Sequence, residues 1–153
     1  MSGKISITPV FLLILMLHSC DVVCIVPALR GNGHLASELR TPGDFHSIVL
    51  QLPAEVFVTK AVENSVRIEA DENIIPVLTT KVRGGTLTLS ASENIKPVND
   101  IKIYISAAFL EKLTTMGSGS ISLTGEFTGD KFNFEVKGSG SISALVTARR
   151  ISS

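Results

Sequence analysis

Gly117-Ser118-Gly119-Ser120-Ile121-Ser122 and Gly138-Ser139-Gly140-Ser141-Ile142-Ser143 are one six-residue word written twice, at an offset of 21 residues. Between the copies lie Leu123, Phe127 and the alternating run Phe132, Phe134, Val136, so the unit reads turn, strand, turn, strand. Periods of twenty-odd residues are characteristic of solenoids, whose units cannot bury an apolar face without a neighbour. The pattern predicts an all-β fold: a β-helix or solenoid-like stack of short strands with Gly-Ser turns and little or no helix outside the N-terminal leader. Gly117, Ser118, Gly119 and Ser120, with Gly138, Ser139, Gly140 and Ser141, are then structural turn residues. Their glycines permit tight turns and close approach of rungs, and their serines satisfy turn backbone or stack in a polar ladder. Ile121 and Ile142 follow as inward residues. One further period back, Leu113 falls where Phe134 stands, which makes a degenerate earlier rung ending at Met116.

Upstream, short runs with strand alternation recur about every ten residues, as in all-β domains. They are Ser47 to Leu52, Glu55 to Thr59 and Ser65 to Ala70, bounded by Pro53, Asn64 and Asp71-Glu72-Asn73. Val77 to Arg83 and Thr86 to Ser90 flank Gly84-Gly85, a two-residue turn suited to a primed hairpin, with Leu87 and Leu89 facing the core. Ile101 to Ser106 alternates most cleanly, with three isoleucines on one face and Lys102, Tyr104 and Ser106 on the other. Asn73 to Leu78 allows one helical turn, and Pro76 stops anything longer. From Asp21 to about Pro42 no period is sustained, so this segment reads as a tether or an early edge segment.

The N-terminus carries an address. Lys4 precedes the unbroken apolar run Val10 to Leu17, and Leu17-His18-Ser19-Cys20 follows at cleavage distance, which is the layout of a secretory signal. Leu three positions before Cys20 and the small Ser19 resemble a bacterial lipobox, in which Cys20 becomes the lipidated first residue; His18 departs from the usual residue there. The alternatives are an ordinary cleaved signal, with Val26-Pro27-Ala28 as a later site, and an uncleaved anchor, for which the apolar run falls short of the about 20 residues a spanning helix needs. The resulting division is a signal at 1–19, a tether at 20–38 and a β domain at 39–153.

With 153 residues, one domain is expected. Fourteen Lys and Arg balance fourteen Asp and Glu, which argues against the basic footprint of a nucleic-acid binder. The only cysteines, Cys20 and Cys24, lie outside the β domain, so neither a disulfide framework nor a thiolate metal site is expected within it.

Reactive constellations are thin. The Gly-Ser words lack the third glycine of a dinucleotide fingerprint and the Gly-Lys-Ser/Thr of a P-loop. A triad from His46 and Ser47 conflicts with strand geometry, where neighbours point to opposite faces. Asp71-Glu72 resembles an acid pair but fits turn chemistry, and Asp44, Asp100 and Asp130 sit beside glycines or in loops. Calcium-loop spacing is missing, and Arg149-Arg150 reads as a solvated chain end. No catalytic, cofactor-binding or metal-binding residue is expected, and the reading is not an enzyme.

The order Gly43-Asp44-Phe45-His46-Ser47-Ile48, Val56-Phe57-Val58, Ser65 to Asn73, Val82 to Leu89, then Leu110 to Leu113 before Gly117 to Ile121, resembles the auto-transporter adhesin head domain of the GIN type. The likeness runs from about Leu39 to Ile142. It implies a secreted or surface-attached bacterial protein with a β-helix-like fold, often led by a lipoprotein or secretory signal, and its name points to adhesion. It carries over no catalytic or ligand residues. This chain departs from the family by stopping early, where members commonly continue through more Gly-Ser rungs.

The expectation is a non-enzymatic domain, secreted or in the cell envelope as an outer-membrane lipoprotein, used for adhesion or surface contact. Its partners would be the membrane, through the lipid on Cys20, and a surface glycan or protein. The rival from another class is a carbohydrate-active enzyme or glycan-binding module on a β-helix. A third reading is a structural protein that self-associates through strand edges at an unfinished C-terminal rung.

Overall fold

The computed structural model describes residues 27–129, 132–148 and 151–152. The signal segment, Cys20, Cys24, Asp130 and Arg149-Arg150 lie outside the described residues.

Chain order gives β1 (Leu29–Arg30), β2 (Leu35–Arg40), β3 (Ser47–Leu50), β4 (Ala54–Lys60) and β5 (Ser65–Asp71), then a 3₁₀ turn at Ile75–Val77. There follow β6 (Leu78–Arg83), β7 (Thr86–Ala91), β8 (Ile95–Lys96), β9 (Ile101–Ala107) and β10 (Lys112–Met116). The described chain closes with β11 (Ser120–Gly129), β12 (Phe132–Lys137), β13 (Ser141–Ala148) and β14 (Ile151–Ser152). The first sheet has the order β14-β12-β10-β3-β7-β6, the second β13-β11-β4-β9-β5-β2, and β1 pairs β8 apart from both.

The architecture is all-β, as the alternation predicts, but the sheets are mixed rather than a uniform parallel stack, and neither closes on itself. The 21-residue period reappears as register. Leu113 lies opposite Phe134 in the parallel pair β10–β12, and Ser120, Ile121 and Ser122 lie opposite Ser141, Ile142 and Ser143 in β11–β13. Beyond Leu123 the register shifts before Phe127 meets Val146, and Gly125, at φ 105°, lies inside that irregularity.

Antiparallel pairing enters where turns reverse the chain. Gly84 and Gly85 take φ 54° and 72°, the positive values a primed two-residue turn requires, and fold β6 back on β7. Between β4 and β5, Asn64 ties the reversal down: its Oδ1 accepts the Ala108 N–H at 3.1 Å. β5 then runs antiparallel to β9 and carries β2 on its other side. The segment read as a tether or an early edge segment carries β1 and β2 from Leu29 on, and β2 is an edge strand. β2 lacks a legible period because an edge strand exposes both faces; Leu35, Ser37, Glu38 and Leu39 are all exposed.

The inward residues of the two sheets meet in one core. Ile48, Leu50, Leu87, Leu89 and Leu113 come from the first sheet, and Val56, Val58, Val66, Ile68, Ile103 and Ile105 from the second, all buried. Burying such a side chain is worth about 1.5–3 kcal/mol, so the core accounts for the sheet-to-sheet packing. Phe127 and Phe132 are buried beyond them. Ile121 is buried, whereas Ile142 is half-buried and borders an open cleft of about 570 Å³ with Phe134, Val136 and Ala144.

Candidate functional site

The twin words act at the corner between the two sheets, and their glycines have two separate tasks. Gly117 and Gly138 take φ 117° and 119°, values that L side chains rarely adopt. Gly119 and Gly140 are places of close approach: a Cβ on Gly119 would stand 2.3 Å from the Leu52 carbonyl oxygen, and one on Gly140 would stand 2.4 Å from that of Gly119. Thr115 Oγ1 donates to Gly119 O at 3.1 Å, and the Ser141 N–H reaches the same oxygen at 3.3 Å. Ser118 and Ser139 are exposed at the corner; Ser120 and Ser141, followed by Ser122 and Ser143, form cross-strand pairs. The eight turn residues thus build a corner with no acid, base or cation among them.

Histidine chemistry gathers at the other end of β3 in an unproductive form. Glu111 Oε2 lies 3.2 Å and Ser47 Oγ 3.3 Å from the same atom, His46 Nδ1. The contact between neighbours corrects the expectation that they diverge, because His46 precedes β3 and strand alternation does not apply to it. A relay needs the hydroxyl and the carboxylate on opposite ring nitrogens. Here Nε2 is turned to Gly85, where an added Cβ would meet it at 2.1 Å. His34 is exposed and distant from this group in the fold.

Asp71 is no member of an acid pair. Its carboxylate is buried and accepts from the Val98 N–H at 2.7 Å, the Asn99 N–H at 3.2 Å, Asn99 Nδ2 at 2.6 Å and the Gly33 N–H at 3.2 Å. Burial pushes its pKa up, and these hydrogen bonds to the charged form outweigh burial and hold it below the ordinary value of 3.8. Glu72 is exposed beside it. The carboxylate staples the end of β5 to two loops, a structural task. Among the described residues no group of three or more His, Cys, Asp or Glu side chains is arranged to hold a metal ion.

What remains is the outer face of the second sheet. Alternation places Phe57, Tyr104 and Arg67 there, and register sets them side by side across β4, β9 and β5. The Phe57 and Tyr104 rings stack at 5.3 Å between centroids and 21° between planes, and the Arg67 guanidinium lies 4.1 Å from the Tyr104 centroid. Glu69 pairs with Arg67 and holds it in place. On the other side of Phe57 the row continues through Ser122 and Ser143, and beyond Arg67 it ends at Leu39. The aromatic ladder therefore stops at a step, where a Phe face stands over two small hydroxyl side chains contributed by the twin words.

The neighbouring row, two residues along each strand, alternates in charge: Ser120, Glu55, Lys102, Glu69 and Ser37. Two shallow clefts of about 210 and 200 Å³ open along it and share Asp100. Sequence reasoning put Tyr104 on the outward face but missed its partnership with Phe57. The signal, an aromatic at the outward position of each strand, needs the β4–β9 pairing to be known.

The fold is shared with solved structures. A "putative adhesin" from Bacteroides fragilis is 20% identical, with a TM-score of 0.74 over 81% of this chain and 59% of its own. A "putative lipid binding protein" from Parabacteroides distasonis is 22% identical, with a TM-score of 0.72 over 80% of this chain and 54% of its own. A "putative adhesin" from Parabacteroides merdae is 16% identical, with a TM-score of 0.65 over 81% and 60%. The chain thus spans less than two thirds of the length of each. Comparison with curated proteins finds no match. Residues 44–153 match the family model described as "Putative auto-transporter adhesin, head GIN domain", and the chain belongs to that family.

Proposed function

We propose that this chain is a non-enzymatic, adhesin-like head domain of the cell envelope that contacts surface glycan through the outer face of its second sheet. In this reading a lipid on Cys20 attaches it to the outer membrane, and the strands after β9 form a solenoid-like stack that presents the contact face. Family membership supports the adhesin-like part. The carrying observation is the row Phe57–Tyr104–Arg67 ending over Ser122 and Ser143. A pyranose with equatorial hydroxyls has an apolar C–H face that lies flat on an aromatic ring, while its rim needs polar partners such as serine hydroxyls and the Glu55–Lys102–Glu69 row. The charge along that row alternates with one carboxylate in excess, which suits a neutral ligand better than a polyanion.

Chitohexaose and cellohexaose, two soluble oligomers with such faces, test the reading by titration against the full chain. Binding by the native chain, a loss of at least tenfold in Phe57→Ala and no new reducing ends on long incubation are expected. Equal binding by native chain and variant would sink the contact site, and released reducing ends would replace it with the enzyme reading. The address is tested separately by mass spectrometry of the mature N-terminus. A diacylated or triacylated Cys20 is expected, and each methylene that it buries would add about 0.8 kcal/mol of membrane affinity.

A further inference from the structure

We propose that β2 is a pairing edge for a second copy of this chain, the two second sheets joining antiparallel about a twofold axis through Ser37. β2 ends its sheet, and no described strand pairs along its outer side. The direction of its backbone groups follows from one hydrogen bond. The Glu72 N–H donates to His34 O at 2.8 Å, one step beyond the opposed pair Leu35 and Asp71. Hydrogen-bonded positions alternate along an antiparallel ladder. Ala36, Glu38 and Arg40 therefore turn their N–H and C=O toward β5, and Leu35, Ser37 and Leu39 turn theirs away from the sheet.

A second β2 can close these groups only if its own odd-numbered residues lie opposite. The register with Ser37 facing Ser37 of the partner subunit uses all three, because Leu35 then faces Leu39 of the partner subunit and Leu39 faces the partner's Leu35. That closes about six N–H···O bonds. It also brings together in two crossed pairs Leu35 and Leu39, 64% and 69% exposed, which stand on the same face as Ser37. Such self-complementarity is what a twofold interface requires.

The edge strand of the first sheet beside β7 differs. β6 carries Lys81 and Arg83, the kind of charge that discourages edge pairing. From Leu35 to Leu39, β2 has no Lys, Pro or bulge, and its Glu38 is neutralised by Arg40 Nε at 2.6 Å. Arg40 also donates to Leu78 O at 2.6 Å and Ile75 O at 3.0 Å, which fastens the strand to the 3₁₀ turn and keeps the edge preformed. Pairing would join two six-stranded sheets into one. The two Phe57–Tyr104–Arg67 rows would then share a continuous face, so the dimer meets a repeating surface with two sites at once.

Disulfide trapping in the full chain, with Cys20→Ser and Cys24→Ser, tests the register. Hydrogen-bonded antiparallel partners have Cα atoms about 5.5 Å apart, within disulfide range. On oxidation by copper-phenanthroline, Ser37→Cys should give a covalent dimer, and mid-sheet Ser122→Cys should not. A mixture of Leu35→Cys and Leu39→Cys chains should cross-link, while each alone should not, because like positions then lie about 14 Å apart. Ser37→Pro removes no hydrogen bond within the sheet, so it should leave the circular dichroism unchanged and abolish the dimer in light scattering. Absence of the Ser37→Cys dimer, equal trapping at Ser122→Cys, or Leu35→Cys trapping alone as well as in the mixture would each overturn the proposal.

Discussion

The two flanks of the molecule are held together by different means. On the flank of β10 to β13, strands match at an offset of 21 residues as far as Leu123, and order comes from backbone: glycines that let one corner sit against the next, and serines repeated at the same height. On the flank of β2, β5 and β6 no period exists. There, polar side chains tie loops to strands: Asp71 to Gly33, Val98 and Asn99, Arg40 to Ile75 and Leu78, and Asn73 to Arg30 and Asn32. A repeating flank needs few particular residues because each rung templates the next. A non-repeating flank concentrates its stability in single groups, so damage there should be larger per residue.

The sharpest way to break this contrast is Asp71→Ala. It strips a buried acceptor from three backbone N–H groups and the Asn99 side chain, and should cost on the order of 3 kcal/mol in urea unfolding. A loss no larger than that of a surface substitution would show that the flank is not stapled there. Gly119→Ala comes next. Its Cβ would meet two backbone oxygens, Leu52 O at 2.3 Å and Ala54 O at 2.9 Å, and overpacking of this kind costs about 1–3 kcal/mol. Gly140→Ala, whose Cβ would meet one backbone oxygen, Gly119 O at 2.4 Å, rather than two, should cost less, and the reverse order would contradict the corner geometry.

A pH series sharpens the same comparison. The pKa of Asp71 is lowered in the fold, so its stabilisation is complete above the ordinary value of 3.8 and is lost as pH falls through the lower folded value. Urea midpoints of the native chain should therefore fall in that acid window, and an Asp71→Asn chain should lack this part of the slope. The smallest effect expected is a gain. Thr114 Oγ1 is buried and has no hydrogen-bond partner among the described residues, and Thr114→Val removes the stranded hydroxyl while keeping the shape. A rise of about 1 kcal/mol is expected, and a loss of similar size would mean that the hydroxyl is satisfied in solution.

Local features of this fold could be read from sequence, and distant ones could not. Ile101, Ile103 and Ile105 announce an inward face, Gly84-Gly85 announces its hairpin, and the 21-residue offset announces that Leu113 meets Phe134. Strand order is another matter. β3 lies between β7 and β10, and nothing near Ser47 to Leu50 says so. Asp71 looked like a turn residue because three of its partners, Val98, Asn99 and Gly33, are more than 25 positions away. Phe57 and Tyr104 likewise pair across a separation that no local pattern encodes. His46 and Ser47 depart from alternation for the opposite reason: His46 stands one residue before β3 begins.

The interleaving of β3 and β4 has a consequence in time. These strands are synthesised early, yet each is flanked in its sheet by strands that come later, β7 and β10 for the one, β9 and β11 for the other. A ribosome delivers the chain from its N-terminus, so this central pair is not covered on both sides until the chain has grown past Thr124, the last residue matched to β4. Contacts this distant in sequence close slowly and leave unpaired strand exposed meanwhile. The molecule cannot be zipped up from one end; it must wait for its second half and then close around its first.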